Sequence, residues 1–398
     1  MNLPLPSPIR GNLAILATAQ GLLTLNNVTL VAVNGLIGLA LAEDKSLATL
    51  PLATFVAGSA LASLPASFYM QRHGRVRGFR LGALLGLCGS LIAVIGLMRQ
   101  AFLLICLGSL FSGFNNAFAQ QYRFAAADTA PDAWKSRAIS LTLAGGILGG
   151  VLGPEMGKWT RHLLEPMFLA SHASLVVLAL FVWLLLGHLR IPLPEAAAQR
   201  EPGRPPWRIV TQPDYLVAVL CATTGYGVMN LLMSATPLVM QGCGHTFDNA
   251  ALVLEWHVLG MFVPSFFTGS WIQRFGVRRI LLAGVLLLFG CNAIALSGRS
   301  LAHFWWALLL LGVAWNFLYI GGTTLLTTTH HPNEKAVAQG INDFLIFAVQ
   351  TFTALSSGMI VNRGGWDGLN HGAVPATVAT MLAIVLLRAR TPAPTRAS

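Results

Sequence analysis

The chain has 398 residues, of which 55% are hydrophobic and only 10% charged, and its mean hydropathy is +0.66. Soluble domains carry about 25% charged residues, so a water-soluble enzyme or binding module is excluded and a polytopic membrane protein is indicated. The net charge of +11 does not point to nucleic acid, because the basic residues sit in short loops between apolar runs, as membrane topology requires.

Apolar runs long enough to cross a bilayer as helices predict an all-α protein with twelve spans. These lie near 12–36, 47–70, 79–98, 101–126, 137–159, 167–189, 213–240, 248–272, 279–297, 301–328, 336–360 and 373–388. The first run follows a polar start, Met1 to Arg10, and lacks an early basic segment, so it reads as a retained helix rather than a cleaved signal. With the N-terminus inside, Arg72, Arg75, Arg77 and Arg80, then Lys135 and Arg137, Arg274, Arg278 and Arg279, and finally Arg388, Arg390 and Arg396 all fall on one side. The other side holds Lys45, Arg99, Lys158, Arg161, Arg299 and Arg363. Basic residues concentrate on the cytoplasmic side of membrane proteins, so the asymmetry puts both termini in the cytoplasm. Five cysteines without a C-x-x-C spacing make neither a disulfide framework nor a zinc site.

In chain order, the fourth span carries Arg123 and, near its end, Asp128; the fifth carries the run from Gly145 through Gly149, Gly150 and Gly153 to Pro154 and Glu155. Ionisable residues inside spans are costly and default to function. Arg123 is therefore a candidate for the transport cavity, and Glu255 and Asp343 on later spans are candidates for carrying a coupling proton. The stretch 191–212 is polar and rich in proline, with Pro192, Pro194, Pro202, Pro205 and Pro206, and reads as a cytoplasmic linker. It divides a six-helix half, 1–190, from a second, 213–398. The halves echo each other: Gln71-Arg72-His73-Gly74-Arg75-Val76-Arg77 follows the second span and Gln273-Arg274-Phe275-Gly276-Val277-Arg278-Arg279 follows the eighth.

Parallel six-helix repeats joined by a cytoplasmic loop, together with these loops, resemble the major facilitator superfamily. Its loop between the second and third helices usually reads G-x-x-x-D-R-x-G-R. Here Ser67 replaces the glycine and Gln71 the aspartate, which weakens the expectation of the usual charge relay between halves. The glycine and proline run of the fifth span resembles a motif of superfamily antiporters, with plain helix packing an equal reading.

The seventh and eighth spans hold two soft-donor spacings, Met229 with Met233 and His257 with Met261. Residues four apart share a helix face, and at 1.5 Å per residue all four lie roughly 12 to 21 Å from the turn between the spans. Singly, each spacing is what methionine as a gap-filler would produce. Together, in one layer, thioethers and an imidazole are donors suited to copper. This pair of motifs resembles the signature of the CcoA-like branch of the superfamily. That resemblance implies a copper importer of the bacterial inner membrane that supplies cytoplasmic copper for assembling cbb3-type cytochrome oxidase. Copper would be its substrate rather than a cofactor, and no resident cofactor is expected. Partners implied are periplasmic thiol-redox proteins and cytoplasmic copper chaperones.

The branch also carries thiols flanking the motif, at the places of Cys221 and Cys243 here. Some 22 residues of helix span roughly 33 Å, whereas a disulfide needs Cα atoms within about 7 Å, so separate roles in a thiol relay are expected. The same branch includes riboflavin importers. For a flavin, Trp256, Trp271, Trp305, Trp306, Trp315 and Tyr319 would supply stacking, and Asn230, Asn316 and Asn342 would supply amide contacts. A non-transporting copper-binding scaffold or sensor is a third reading. No nucleophile and base pairing, phosphate loop or redox motif marks an enzyme.

Overall fold

No water is available within a bilayer to satisfy backbone polar groups, so apolar segments of this length coil into helices. The computed structural model describes residues 7–44, 47, 50–192 and 203–386. The first half comprises α1 (Ser7–Leu41), α2 (Leu50–His73), α3 (Arg75–Met98), α4 (Phe102–Ala119), α5 (Tyr122–Thr129), α6 (Lys135–Ala144), α7 (Gly146–Thr160) and α8 (Leu169–Leu186). A short α9 (Pro206–Val210) leads into the second half: α10 (Pro213–Gly242), α11 (Phe247–Phe262), α12 (Ser265–Phe275), α13 (Val277–Ser297), α14 (Leu301–Leu326) and α15 (Lys335–Leu386). Among the described residues, ten helical segments are long and apolar enough to cross a bilayer, and the bent pair α11 and α12 makes eleven. The remaining expected span, 336–360, is also helical, as the first arm of α15, but it carries Gln339, Asn342, Asp343 and Gln350. Residues 193–202 of the expected linker lie outside the described residues. So do Lys45, the start 1–6 and the end 387–398, on which part of the charge asymmetry rests.

Several expected spans are not continuous rods, and the breaks have causes. The fourth divides at Gln120 and Gln121 into α4 and α5, and the fifth at Gly145 into α6 and α7. A side chain on Gly145 would collide with the Ala17 carbonyl of α1, and one on Gly149 with the Gly21 carbonyl. On the opposite face, Gly146 and Gly150 lie against Phe262 and Val258 of α11. The glycine run is thus a packing surface on both sides, with one stripe on α1 and the other on the second half.

The eighth span bends by 40° between α11 and α12. Pro264 at the break has no N–H to give the preceding turn. Asn316 of α14 repairs the damage: its Nδ2 donates to the Met261 carbonyl and the Ser265 hydroxyl, both at 2.6 Å, and its Oδ1 accepts from Thr268 Oγ1 at 2.6 Å. The last two spans form a single helix that breaks at Gly365, where φ is +59°.

Hydrogen bonds and ion pairs between the halves cluster at the end of the bundle that bears the linker. Gln71 donates to the Asn333 carbonyl at 2.6 Å. Arg75 donates to Gln339 at 2.7 Å, pairs with Asp128 at 3.2 Å and also reaches Gln121. Asp128 in turn binds Lys335 at 2.7 Å. The superfamily aspartate that Gln71 replaces is therefore not needed for a charged latch, because Asp128 supplies the anion from α5. Beside it Arg204 clasps Glu334, Nε to Oε1 at 2.7 Å and Nη2 to Oε2 at 2.6 Å. These hydrogen bonds hold the Glu334 carboxyl down at about 2.

Candidate functional site

A crevice of about 160 Å³ lies between the halves, lined by Gln120, Tyr226, Tyr319, Asp343, Ile346, Phe347 and Gln350. It exists because two broken or polar segments meet there. The end of α4 at Gln120 offers an uncommitted carbonyl, and Arg123 one turn later donates Nη1 to it at 2.5 Å and to the Gln120 side-chain oxygen at 3.1 Å. The other guanidinium nitrogen, Nη2, reaches across to Asp343 Oδ1 on α15 at 2.6 Å. Both side chains are about 98% buried or more. A buried charge without its partner is costly, so this pair fixes the two halves against each other. Arg123 Nε and Asp343 Oδ2 remain without hydrogen-bond partners.

Aromatic rings cover the pair. The Arg123 guanidinium lies 4.7 Å from the Tyr319 ring centre and 4.4 Å from that of Phe124, within cation–π range. Tyr319 donates its hydroxyl to Gln120 Oε1 at 3.0 Å and stacks on Trp315, with centroids 4.9 Å apart and planes 27° from parallel. Tyr226 of α10 stands edge-on to both, at 5.2 Å and 4.9 Å, and Phe262 of α11 edge-on to Trp315 at 5.9 Å. The result is a wall of flat π surface next to a fixed carboxylate and two side-chain amides. A larger space of about 350 Å³ lies inside the first half, lined by Ala19, Leu22, Leu23, Asn26, Asn115 and their neighbours. It carries no charge and does not lie between the halves.

The expected residues fall into two groups. Arg123 and Asp343, read separately from the sequence, are direct partners, and Trp315, Tyr319 and Asn342 surround them, Asn342 donating to Asp343 Oδ1 at 3.0 Å. Glu255, by contrast, is exposed on α11 and does not line the crevice. Trp256, Trp271 and Trp306 are also on the outer surface, 40%, 38% and 51% exposed, where aromatic rings serve as bilayer anchors. Asn316 is committed to the helix break, and Asn230 donates to the Gln350 carbonyl at 2.8 Å, tying α10 to α15.

The soft-donor set is arranged around α14. His257 is fully buried; its Nδ1 lies 2.8 Å from the Leu308 carbonyl, and Nε2 has no partner. The backbone of His257 and Met261 presses on Gly312, where no side chain would fit. Met229 and Met261 are each 8% exposed within the main hydrophobic core, and Met233 packs against it. Helix α11 packs mainly on α14, whereas α10 packs first on α15 and then on α14, and the two pack only lightly on each other. Among the described residues, no group of three His, Cys, Asp or Glu side chains gathers as a metal ion would require. Cys221 is buried and Cys243 exposed at the other end of an unbroken α10, and both are free thiols.

Five members of the crevice escape the expectations drawn from the chain: Gln120, Tyr226, Ile346, Phe347 and Gln350. Their signal is modest. Tyr226 sits between Gly225 and Gly227, and Gln120 precedes a second glutamine inside an apolar run.

Two sets of membrane helices closing on a buried ion pair and an aromatic wall define a carrier that moves a solute between two faces, and not an enzyme. The sequence profile described as Major Facilitator Superfamily matches residues 16–255 and 218–398. The chain belongs to the Major Facilitator Superfamily, as a multi-pass secondary transporter. It is similar to the riboflavin transporter RfnT of Brucella anthropi, at 39% identity over 380 residues, covering 95% of this chain and 96% of the relative. An uncharacterized MFS-type transporter of Bacillus subtilis, YdeG, is 30% identical over 85% of this chain and 83% of its own. Among solved structures, the human organic anion transporter TETRAN has the same fold, with a TM-score of 0.77 and 14% identity over 96% of this chain and all of that one.

Proposed function

We propose that this protein carries riboflavin, or a flavin very close to it, across the bacterial inner membrane into the cytoplasm. The observation that carries the reading is the crevice, where Tyr226 and Tyr319, the latter backed by Trp315, lie beside Asp343, Gln120 and Gln350. An isoalloxazine ring is flat, aromatic and uncharged, with hydrogen-bonding groups confined to one edge, so it matches π surface on its face and polar groups at its rim. The likeness to a relative named as a riboflavin transporter supports the same choice over copper. In this reading the linker end is cytoplasmic, following the basic loops. The contacts clustered there then describe an outward-facing state, and the Arg75, Asp128 and Lys335 latch opens when the halves rock.

A second reading, copper carriage through Met229, Met233, His257 and Met261, rests on the unpartnered His257 Nε2 in a layer with three thioethers. The thiols Cys221 and Cys243, redox partners and copper chaperones belong with that reading. The test is uptake of labelled riboflavin and labelled copper, in parallel, by cells that lack the protein and then regain it. Restored riboflavin uptake with unchanged copper supports the flavin reading; restored copper uptake alone overturns it.

A further inference from the structure

The floor of the crevice carries a hydrogen-bonding pattern more specific than a flavin-shaped space. Asp343 uses one carboxylate oxygen on Arg123 and on Asn342, while its other oxygen, Oδ2, is buried, belongs to a crevice-lining residue and has no partner. A buried carboxylate oxygen left open is an expensive arrangement, and the ion pair at 2.6 Å occupies only the other oxygen. Gln120 and Gln350 line the same space. The Gln120 side-chain oxygen is occupied by Arg123 and the Tyr319 hydroxyl, which orients its NH2 as a donor. With both amides turned NH2-inward, the crevice would present donor, acceptor, donor around the open oxygen.

Resting on the flavin reading above, we propose that Asp343 Oδ2 accepts the ring imide N–H of the substrate while Gln120 and Gln350 donate to its two flanking carbonyls. An imide edge, C=O, N–H, C=O, is the complement of that order, and the pyrimidine end of a flavin is such an edge. Tyr226 and Tyr319 line the same crevice, with Trp315 packed behind them. Selection follows from chemistry: an imide-bearing ring is accepted whatever its far end, and a ring whose imide nitrogen carries a methyl group leaves the carboxylate oxygen unmet.

The test uses the unaltered protein in proteoliposomes, with riboflavin and N3-methylriboflavin as probes. Loss of a charge-assisted hydrogen bond predicts uptake of the N3-methyl compound, compared at low concentration, weaker by about 10- to 100-fold. A control separates hydrogen bonding from crowding: Gln350→Ala enlarges the space beside the imide, and discrimination is expected to persist. Equal transport of both compounds, or discrimination that vanishes in Gln350→Ala, overturns the imide assignment while leaving flavin transport standing. Absence of riboflavin transport altogether overturns both.

Discussion

Asp343→Asn is the sharpest perturbation the structure offers. The substitution keeps the side-chain volume but removes the charge that faces Arg123 at 2.6 Å in a site where the two side chains are 1% and 2% exposed. The guanidinium then has no counter-charge, keeping as partners the neutral amide oxygen at 343, Gln120 and the Tyr319 and Phe124 ring faces. Breaking a buried pair from one side costs about 3–5 kcal/mol, a change of roughly 10²- to 10³-fold in the folded population at 1.4 kcal/mol per decade. The pair joins α5 of one half to α15 of the other, so the loss is expected in cohesion of the halves as well as in overall stability. Thermal unfolding of the purified protein in detergent reads the first effect, and protease sensitivity of the loops at the linker end reads the second. The double variant Arg123→Gln, Asp343→Asn removes both charges and is expected to recover most of the stability but not transport. If Asp343→Asn alone unfolds at the temperature of the parent, the pair does not bear on the two halves and the reasoning fails.

Other substitutions separate the site from the scaffold. Trp315→Ala and Tyr319→Ala are each expected to weaken riboflavin uptake at low concentration by about 5- to 100-fold, taking ~1–3 kcal/mol for one aromatic stacking surface, while Trp306→Ala on the outer surface leaves uptake near the parent value. Asn316→Ala leaves the Met261 carbonyl without its side-chain donor and is expected to lower stability by about 1–3 kcal/mol, seen as a lower melting temperature, with the affinity for flavin little changed. Glu334→Gln tests the Arg204 clasp by pH. The carboxyl is held at about 2 in the folded protein against 4.5 ordinarily. Its contribution is therefore present above about pH 4.5 and lost as pH falls toward 2. The variant should melt below the parent at pH 7, and the two melting temperatures should converge in acid.

Much of the architecture was legible in the chain because the physics that sets it is local. Span lengths follow from bilayer thickness, and the echo of Gln71–Arg77 in Gln273–Arg279 marks the internal repeat without any structure. Arg123 and Asp343 stood out for the cost of charge in an apolar run. Their partnership did not, since a contact between residues so far apart in sequence is decided by how two half-proteins dock. The same holds for Tyr226, Gln120 and Gln350, ordinary residues until the halves close around them. The breaks at Gly145 and Pro264 were not drawn from the chain, since the expected spans 137–159 and 248–272 run through both residues, and the role of Asn316 at the second depends on where α14 crosses α11. The Met229, Met233, His257 and Met261 spacing shows the opposite difficulty, because i and i+4 periodicity is shared by metal ligands and by core residues facing a neighbouring helix. Here Met229 and Met261 lie in the main core and His257 engages the Leu308 carbonyl through Nδ1 while Nε2 has no partner, a geometry that packing and metal ligation share.

The central claim is that a flavin ring lies against Trp315 and Tyr319 between the two halves. Titration of the purified protein with riboflavin, following quenching of flavin fluorescence, tests it directly, because a flavin stacked on tryptophan is quenched. Saturable quenching in the parent that is lost in Trp315→Leu, and retained when His257 and Met261 are replaced, is the expected result. Quenching unaffected by Trp315→Leu, or no saturable response at all, would contradict the account.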